Sequence, residues 1–355
     1  DGLRKLGGGD VVPVTFVAHP RDGILGYFDQ FGWDPYTGEV IPSLANITNP
    51  ILANPGNFSF EYDALELLNG KRFEILRTPT APEMEAAALD ELDGYAMIER
   101  TMEEQQDLID GTYTLGANWE GQIDDWFTML NLGYRYTAIG NSDTHSKTST
   151  ESGCPRNYVL STTDDPAYIS PEEVAEEVRA GHVLTTYGPF VRFTATSGGA
   201  TAIMGDDLVA SGDVEFFIEV QSPTWFSVDR VEVYRDGELS RDFVATNDDV
   251  VNLSETFTES PVADAWYVVI VMGNDSLEPL FSPVEYAPVQ LQDVVIEALS
   301  DVDAVGGLLT PAPPVPRSFP VYPFALTNPI YVDVAGDGWA PPGIPLWLVP
   351  PLTEE

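Results

Sequence analysis

Gly140-Asn141-Ser142-Asp143-Thr144-His145, entered from Tyr136-Thr137-Ala138-Ile139, is the stretch on which the reading of the fold turns. The apolar tetrapeptide reads as a short buried strand. A strand that ends in Asp-x-His puts a carboxylate oxygen and an imidazole nitrogen on one face of the turn that follows. That pairing suits a divalent transition metal such as zinc, manganese or iron. The chain has three histidines, and a second one, His19, also closes an apolar run. Two histidines at strand exits predict the rim of an active site.

Working outward, residues 11–18 form a continuous apolar run, as expected of a strand buried on both faces, with Pro13 restricting pairing near its start. Asp63-Ala64-Leu65-Glu66-Leu67-Leu68-Asn69-Gly70 reads as a second short strand with a glycine stop. Residues 82–92 and 99–110 are rich in helix formers. Residues 118–132 place Trp119, Ile123, Trp126, Phe127 and Leu130 on one helical face, with Gly133 as the expected C-cap. Ser170-Pro171-Glu172-Glu173 is a capping box with proline at N1, and Gly181 ends that helix. Strands alternating with helices predict a parallel α/β sheet or barrel over residues 1–198.

The period then changes. Val214, Phe216, Ile218 and Val220 alternate with more polar positions, Val231 and Val233 lead into the hairpin turn Asp236-Gly237, and Ala265–Met272 is a further apolar strand. This antiparallel grammar predicts a β-sandwich over residues 199–290. Residues 311–323 carry six prolines and read as an extended connector. Asn328–Val334 looks like one more strand, closed by a Gly336-Asp337-Gly338 turn. Residues 291–355 are thus expected to be a connector and a C-terminal strand or hairpin packing back on the protein. The fold class expected is α/β plus all-β.

The chain has 355 residues, 43% of them hydrophobic, with 16 basic against 57 acidic side chains and a formal net charge of −41. Such a surface repels nucleic acid and anionic lipid, so neither is an expected partner. The acids are spread along the whole chain, which fits either a protein of a salty environment, where counterions screen self-repulsion, or a secreted protein kept soluble by charge. The single cysteine, Cys154, excludes an internal disulfide. No apolar run reaches the roughly 18–20 residues of a transmembrane helix. The start, Asp1-Gly2-Leu3-Arg4-Lys5, has neither an initiating methionine nor an apolar signal segment and reads as a processed or truncated product. An extracellular, periplasmic or cell-surface location is expected.

His19, in Ala18-His19-Pro20-Arg21, is placed as a metal ligand or general base, or as a histidine bonded to a loop carbonyl; beside Asp143 and His145 the ligand reading is preferred, because barrel metal sites gather ligands from several strand ends. Asp143 alone could be a turn or N-cap carboxylate. Glu66, in a strand otherwise of alanine and leucine, is read as a ligand, as an acceptor for a histidine N–H, or as a surface group, the second being preferred. Asn69 has the same ambiguity and a plain turn role besides. Arg21 either grips an anionic substrate group or pairs with surface acids, and Asn141 is a candidate for orienting substrate. His182 suits a helix C-terminus on dipole grounds, Cys154 reads as structural, and Asp333 and Asp337 read as turn residues rather than a calcium loop. Trp225, Trp266, Trp339 and Trp347 are expected in the sandwich core rather than stacked on sugars.

His19-Pro20-Arg21, Asp63–Gly70, Asp125-Trp126 with Leu130–Gly133, Gly140–His145 and Gly181–Phe190 occur in an order that resembles the PHP (polymerase and histidinol phosphatase) superfamily, in particular its carbaryl-hydrolase-like metallohydrolases. The resemblance covers roughly residues 10–290. It implies a distorted βα barrel with two or three divalent metals at the C-terminal strand ends, and hydrolysis of phosphoester, carbamate or carboxyl ester bonds of a small-molecule substrate. By resemblance, His19 matches the His-Pro ligand, Asp143 and His145 the closing Asp-x-His pair, and Glu66 a recurring glutamate. The opening His-x-His of the family has no counterpart here. The resemblance therefore implies the C-terminal part of a barrel whose first half is missing. The alternative is a non-catalytic metal- or carbohydrate-binding surface protein with a degenerate barrel.

Overall fold

The computed structural model describes residues 13–21, 26–35, 37–40, 51, 54–70, 121–144, 152–281, 284–286, 316–318 and 321–344. The first part of the chain carries β1 (Phe16–Val17), α1 (Tyr27–Phe31), β2 (Trp33–Asp34), β3 (Glu39–Val40), β4 (Ala64–Asn69), α2 (Gln122–Asn131), β5 (Thr137–Asn141), β6 (Arg156–Val159), α3 (Pro171–Ala180) and β7 (Val183–Thr186). Then follow β8 (Phe190–Ser197), β9 (Ala200–Ile203), β10 (Asp207–Val209), β11 (Val214–Gln221), β12 (Arg230–Arg235), β13 (Glu238–Val244), β14 (Val251–Glu259) and β15 (Ala265–Met272). The chain closes with β16 (Val284–Tyr286), β17 (Pro316–Ser318), β18 (Phe324–Thr327) and β19 (Ile330–Asp333). The expected helices at 82–92 and 99–110 lie outside the described residues.

β1, β4 and β5 form a three-stranded parallel sheet in that order. β4 is buried along its whole length, as the Ala-Leu-Glu-Leu-Leu pattern predicts for a central strand. Among the described residues of the apolar run, Phe16 and Val17 pair, and Phe16 is 50% exposed. The reason is local. Among the described residues β1 lies at the sheet edge with β4 as its one partner, and Pro13 has no N–H to donate.

The sheet does not close into a barrel among the described residues, and the outer edge of β5 shows why. The Asn328 amide accepts from Ala138 N at 2.8 Å and donates to Ala138 O at 3.0 Å. Two residues along, the Asn157 amide accepts from Gly140 N and donates to Gly140 O, both at 2.8 Å. Side-chain amides thus take the backbone groups that a further strand would use. The expected parallel barrel over 1–198 is replaced, in the described residues, by a short parallel sheet beside larger antiparallel ones.

The antiparallel part follows its sequence pattern closely. β11 buries Val214, Phe216, Ile218 and Val220 completely and alternates them with more exposed positions. It sits in a four-stranded sheet, β14-β11-β8-β9. An eight-stranded sheet, β10-β19-β15-β18-β7-β6 with β12 and β13 beside β15, faces it. The two meet at Phe216 and Tyr267, whose rings are 4.4 Å apart. β15 is buried at all eight positions because its other face packs on α2, where Trp266 lies 4.9 Å from Phe127. The eight-stranded sheet draws β6 and β7 from before residue 198 and β18 and β19 from after residue 290, so it spans all three expected segments.

α2 is buried at every position, not along one stripe. It is wedged between β4 and β15, and its polar residues have inward partners: Thr128 donates to Pro35 O at 2.9 Å and Asn131 to Asp236 O at 3.0 Å. Its C-cap is Leu132, one residue earlier than expected, and Gly133 follows at φ +94°. α3 forms as read: Ser170 Oγ accepts from Glu173 N at 3.0 Å, and Gly181 takes the left-handed conformation at φ +81°. The Asp236-Gly237 turn has φ of +55° and +91°, which is the two-residue hairpin geometry that Asp-Gly favours.

Candidate functional site

The register Phe16↔Ala64↔Thr137 and Val17↔Leu65↔Ala138 aligns the three parallel strands, so all leave the sheet at one edge. In open parallel sheets that edge, beyond the carboxyl ends, is where ligands bind. His19 stands two residues past β1 and Asp143 two residues past β5. A register shift between Glu66 and Leu68 marks a bulge in β4, a device that re-aims a side chain next to a site.

Glu66 is the hub of this edge. It is 3% exposed. Its Oε2 accepts from the His19 backbone N at 2.7 Å and from Asn69 Nδ2 at 2.9 Å, and its Oε1 accepts from Asn141 Nδ2 at 2.6 Å. One carboxylate thereby ties the exits of all three strands together. The expected histidine N–H contact exists, but it is the backbone N–H of His19 and not its ring. Asn69 turns out to serve the same carboxylate, and Asn157 Nδ2 adds a longer contact to Asn141 Oδ1 at 3.4 Å.

Three non-glycine residues among those described have positive φ: His19 at +33°, Asp143 at +48° and the hairpin residue Asp236 at +55°. A left-handed backbone at a non-glycine residue is uncommon, though Asp and His tolerate it better than most. Such conformations cost about 1–3 kcal/mol and gather at functional sites. Here two of them fall on His19 and Asp143, two of the three described candidate ligands. The His19 ring adds a second anomaly: its Nδ1 is sealed from solvent and has no hydrogen-bond partner among the described residues. A buried imidazole nitrogen without a protein partner fits a metal ion, which binds that lone pair directly. Asp143 is exposed at the rim, and His145 lies outside the described residues.

Arg21 is placed differently from either sequence reading. It is 2% exposed and pairs with buried acids. Its Nε and Nη2 engage Asp125 at 2.7 and 2.6 Å, Nη1 reaches Asp29 at 3.1 Å, and Nη2 also donates to Trp33 O at 2.8 Å. The guanidinium therefore clamps the segment after His19 onto α2, which positions the histidine from behind. The pairing with Asp125 spans 104 residues, and no local pattern announces it.

The remaining candidates resolve structurally. His182 follows α3 and bonds Glu177 through Nδ1 and Asp206 through Nε2 at 3.1 Å. Cys154 is a buried thiol in the core, as its structural reading expects. Asp333 accepts from Gly336 N at 2.6 Å and Gly338 N at 2.8 Å, which is a turn. Trp266 is core, Trp339 packs against the core, Trp225 is 60% exposed, and Trp347 lies outside the described residues. Among the described residues no three His, Cys, Asp or Glu side chains stand together as a metal cluster, and no helix is long and apolar enough to cross a membrane. No family model, no curated protein and no solved structure matches the chain.

Proposed function

We propose that this chain carries the C-terminal part of a metal-dependent hydrolase of ester-type bonds, whether phosphoester, carbamate or carboxyl ester, of the PHP type it resembles. The reading rests chiefly on His19: a buried, unpartnered imidazole nitrogen on a left-handed residue at the exit of a parallel strand. His19 and Asp143 would hold a zinc, manganese or iron ion, with His145 as the third donor by resemblance. A bound cation supplies an acidified water and polarises the ester oxygen. Glu66 holds the His19 backbone and the Asn141 amide in place, and Asn141, whose Oδ1 accepts from Asn157 Nδ2 at 3.4 Å, would orient substrate. Arg21 acts as a positioning residue, since its nitrogens are engaged by Asp125, Asp29 and Trp33. With three histidines in the whole chain, a two- or three-metal cluster needs ligands from elsewhere, so the chain alone is expected to be a weak hydrolase. A small-molecule ester as substrate and a location outside the cytoplasm belong to the same proposal.

The test is metal retention by the whole 355-residue chain, titrated with zinc and with manganese by calorimetry. Asp143→Ala and His19→Ala should each weaken binding by at least about tenfold. Equal stoichiometry and affinity in the wild type and both variants would refute the site and favour the non-catalytic binding reading.

A further inference from the structure

At the opposite end of the parallel sheet lies a cavity of about 420 Å³ whose lining includes Arg135, Arg179, His182, Asn328 and Tyr331. Three of the five charged side chains around it are basic: Arg135, Arg179 and His182, against Asp206 and Asp207. In a chain with 16 Lys and Arg against 57 Asp and Glu, such a concentration of cations is unexpected. Each has a definite place. Arg135 lies 3.7 Å over the Tyr331 ring, and two of its nitrogens reach Asp207 at 3.1 Å. His182 is held between Glu177 and Asp206; burial works against its charge, but those two hydrogen bonds outweigh it and raise its pKa.

Arg179 is the exception. Its Nε and Nη2 are sealed from solvent without a hydrogen-bond acceptor among the described residues. The nearest carboxylate oxygen in an ion pair, Asp63 Oδ1, stands 3.9 Å from Nε, beyond hydrogen-bond range. Asp63 Oδ2 is occupied by the Thr15 backbone N at 2.8 Å and hydroxyl at 3.0 Å. A buried donor left without an acceptor is destabilising, so two on one guanidinium mark a place where an acceptor belongs. Nε and Nη2 form the side-on edge of the fork that accepts a planar carboxylate bidentately. Arg179 lines the cavity, so rotation of its guanidinium is the step that would present this edge to a bound carboxylate.

We propose that this cavity binds the carboxylate of a small organic acid, with Arg179 as its principal donor. A singly charged group is favoured over dianionic phosphate because Asp206 and Asp207 share the wall, and a second negative charge would be repelled by both. The site is separate from the candidate metal rim and does not depend on the hydrolase reading.

The whole chain titrated with acetate at constant ionic strength, against chloride, should show saturable binding. Arg179→Met, which keeps the apolar stem at this partly exposed helical position, should weaken it at least tenfold. Arg179→Lys should weaken it less, because the charge stays while the fork is lost. Asp143→Ala should leave it unchanged. Circular dichroism of each variant verifies the fold, and if Arg179→Met fails to fold, Arg179→Lys carries the comparison. The proposal fails if acetate does not saturate, if the foldable Arg179 variant binds as the wild type does, if Asp143→Ala abolishes binding, or if inorganic phosphate binds more tightly than acetate.

Discussion

Asp236→Asn should stabilise the protein at neutral pH and do nothing near pH 4. Asp236 begins the hairpin between β12 and β13, and its carboxylate is turned inward. Oδ1 accepts from Trp266 N at 2.9 Å, and Arg235 Nε lies 3.5 Å from Oδ2. Burial raises the pKa of the carboxyl from 3.8 to about 6, and the contacts with Trp266 and Arg235 only partly offset that. The folded value is above the unfolded one, so the native state prefers the proton. The associated stability is fully present below pH 3.8 and is lost as pH rises through about 6. At about 1.4 kcal/mol per pH unit, the displacement from 3.8 to about 6 amounts to about 3 kcal/mol. The side chain is 21% exposed, and solvent screening reduces the expected figure to about 2 kcal/mol. Asparagine keeps an acceptor for Trp266 N, tolerates the positive φ and suits a turn before glycine. The assay is urea unfolding of wild type and variant from about pH 4 to 8, with the difference in stability plotted against pH so that shared titrations cancel. The difference should climb from near zero to about 2 kcal/mol in favour of asparagine, mostly between about pH 4 and 6. A flat difference, or one that favours aspartate above pH 6, would refute the reasoning.

Two further substitutions probe the strand edge. Glu66→Ala strips the acceptor from His19 N, Asn69 Nδ2 and Asn141 Nδ2; at about 1–3 kcal/mol per orphaned donor, and with water reaching the part-buried His19 and Asn141 donors, it should destabilise the fold by about 3–6 kcal/mol, read as a drop in the urea midpoint, and Glu66→Gln should cost less. Gly140→Ala would drive a Cβ into Thr185 Oγ1 and to 2.9 Å from Leu68 Cβ, so about 1–3 kcal/mol of overpacking strain is expected in the same assay, and an unchanged midpoint would mean that β5 shifts freely.

Local pattern carried the reading wherever the structure is decided locally. The alternation of β11, the Asp-Gly hairpin, the Ser170 cap of α3 and the burial of β4 all depend on residues within one element and were legible. What escaped the sequence depends on distant partners. The Arg21–Asp125 pair, the reach of Asn328 across 190 residues to Ala138 and the Asn157–Gly140 pair have no periodic signature. Asparagine reads as a turn residue, and nothing local marks one whose amide imitates a strand. The same holds for the site. His19, Asp143 and Glu66 stood out by type and position, whereas the backbone route of Glu66 to His19 needed coordinates. An apolar run does not distinguish an edge strand from a central one, so the exposure of Phe16 on β1 was not legible.

The amide pairs on β5 also constrain the hydrolase proposal itself. A parallel sheet grows by offering free backbone groups along one of its outer strands. On β5 the groups of Ala138 and Gly140 are already satisfied, and Asn328 is in turn anchored by donating to Val183 O at 2.7 Å. Displacing it would therefore open bonds on two sheets at once. β1 offers no such resistance among the described residues: there β4 is its one strand partner, and Phe16 stands half exposed. If barrel strands supplied from elsewhere complete the site, they must pair along β1, next to His19, where they could also add ligands. A complex with a strand paired along β5 instead would contradict this, and with it the account of why the sheet stops there.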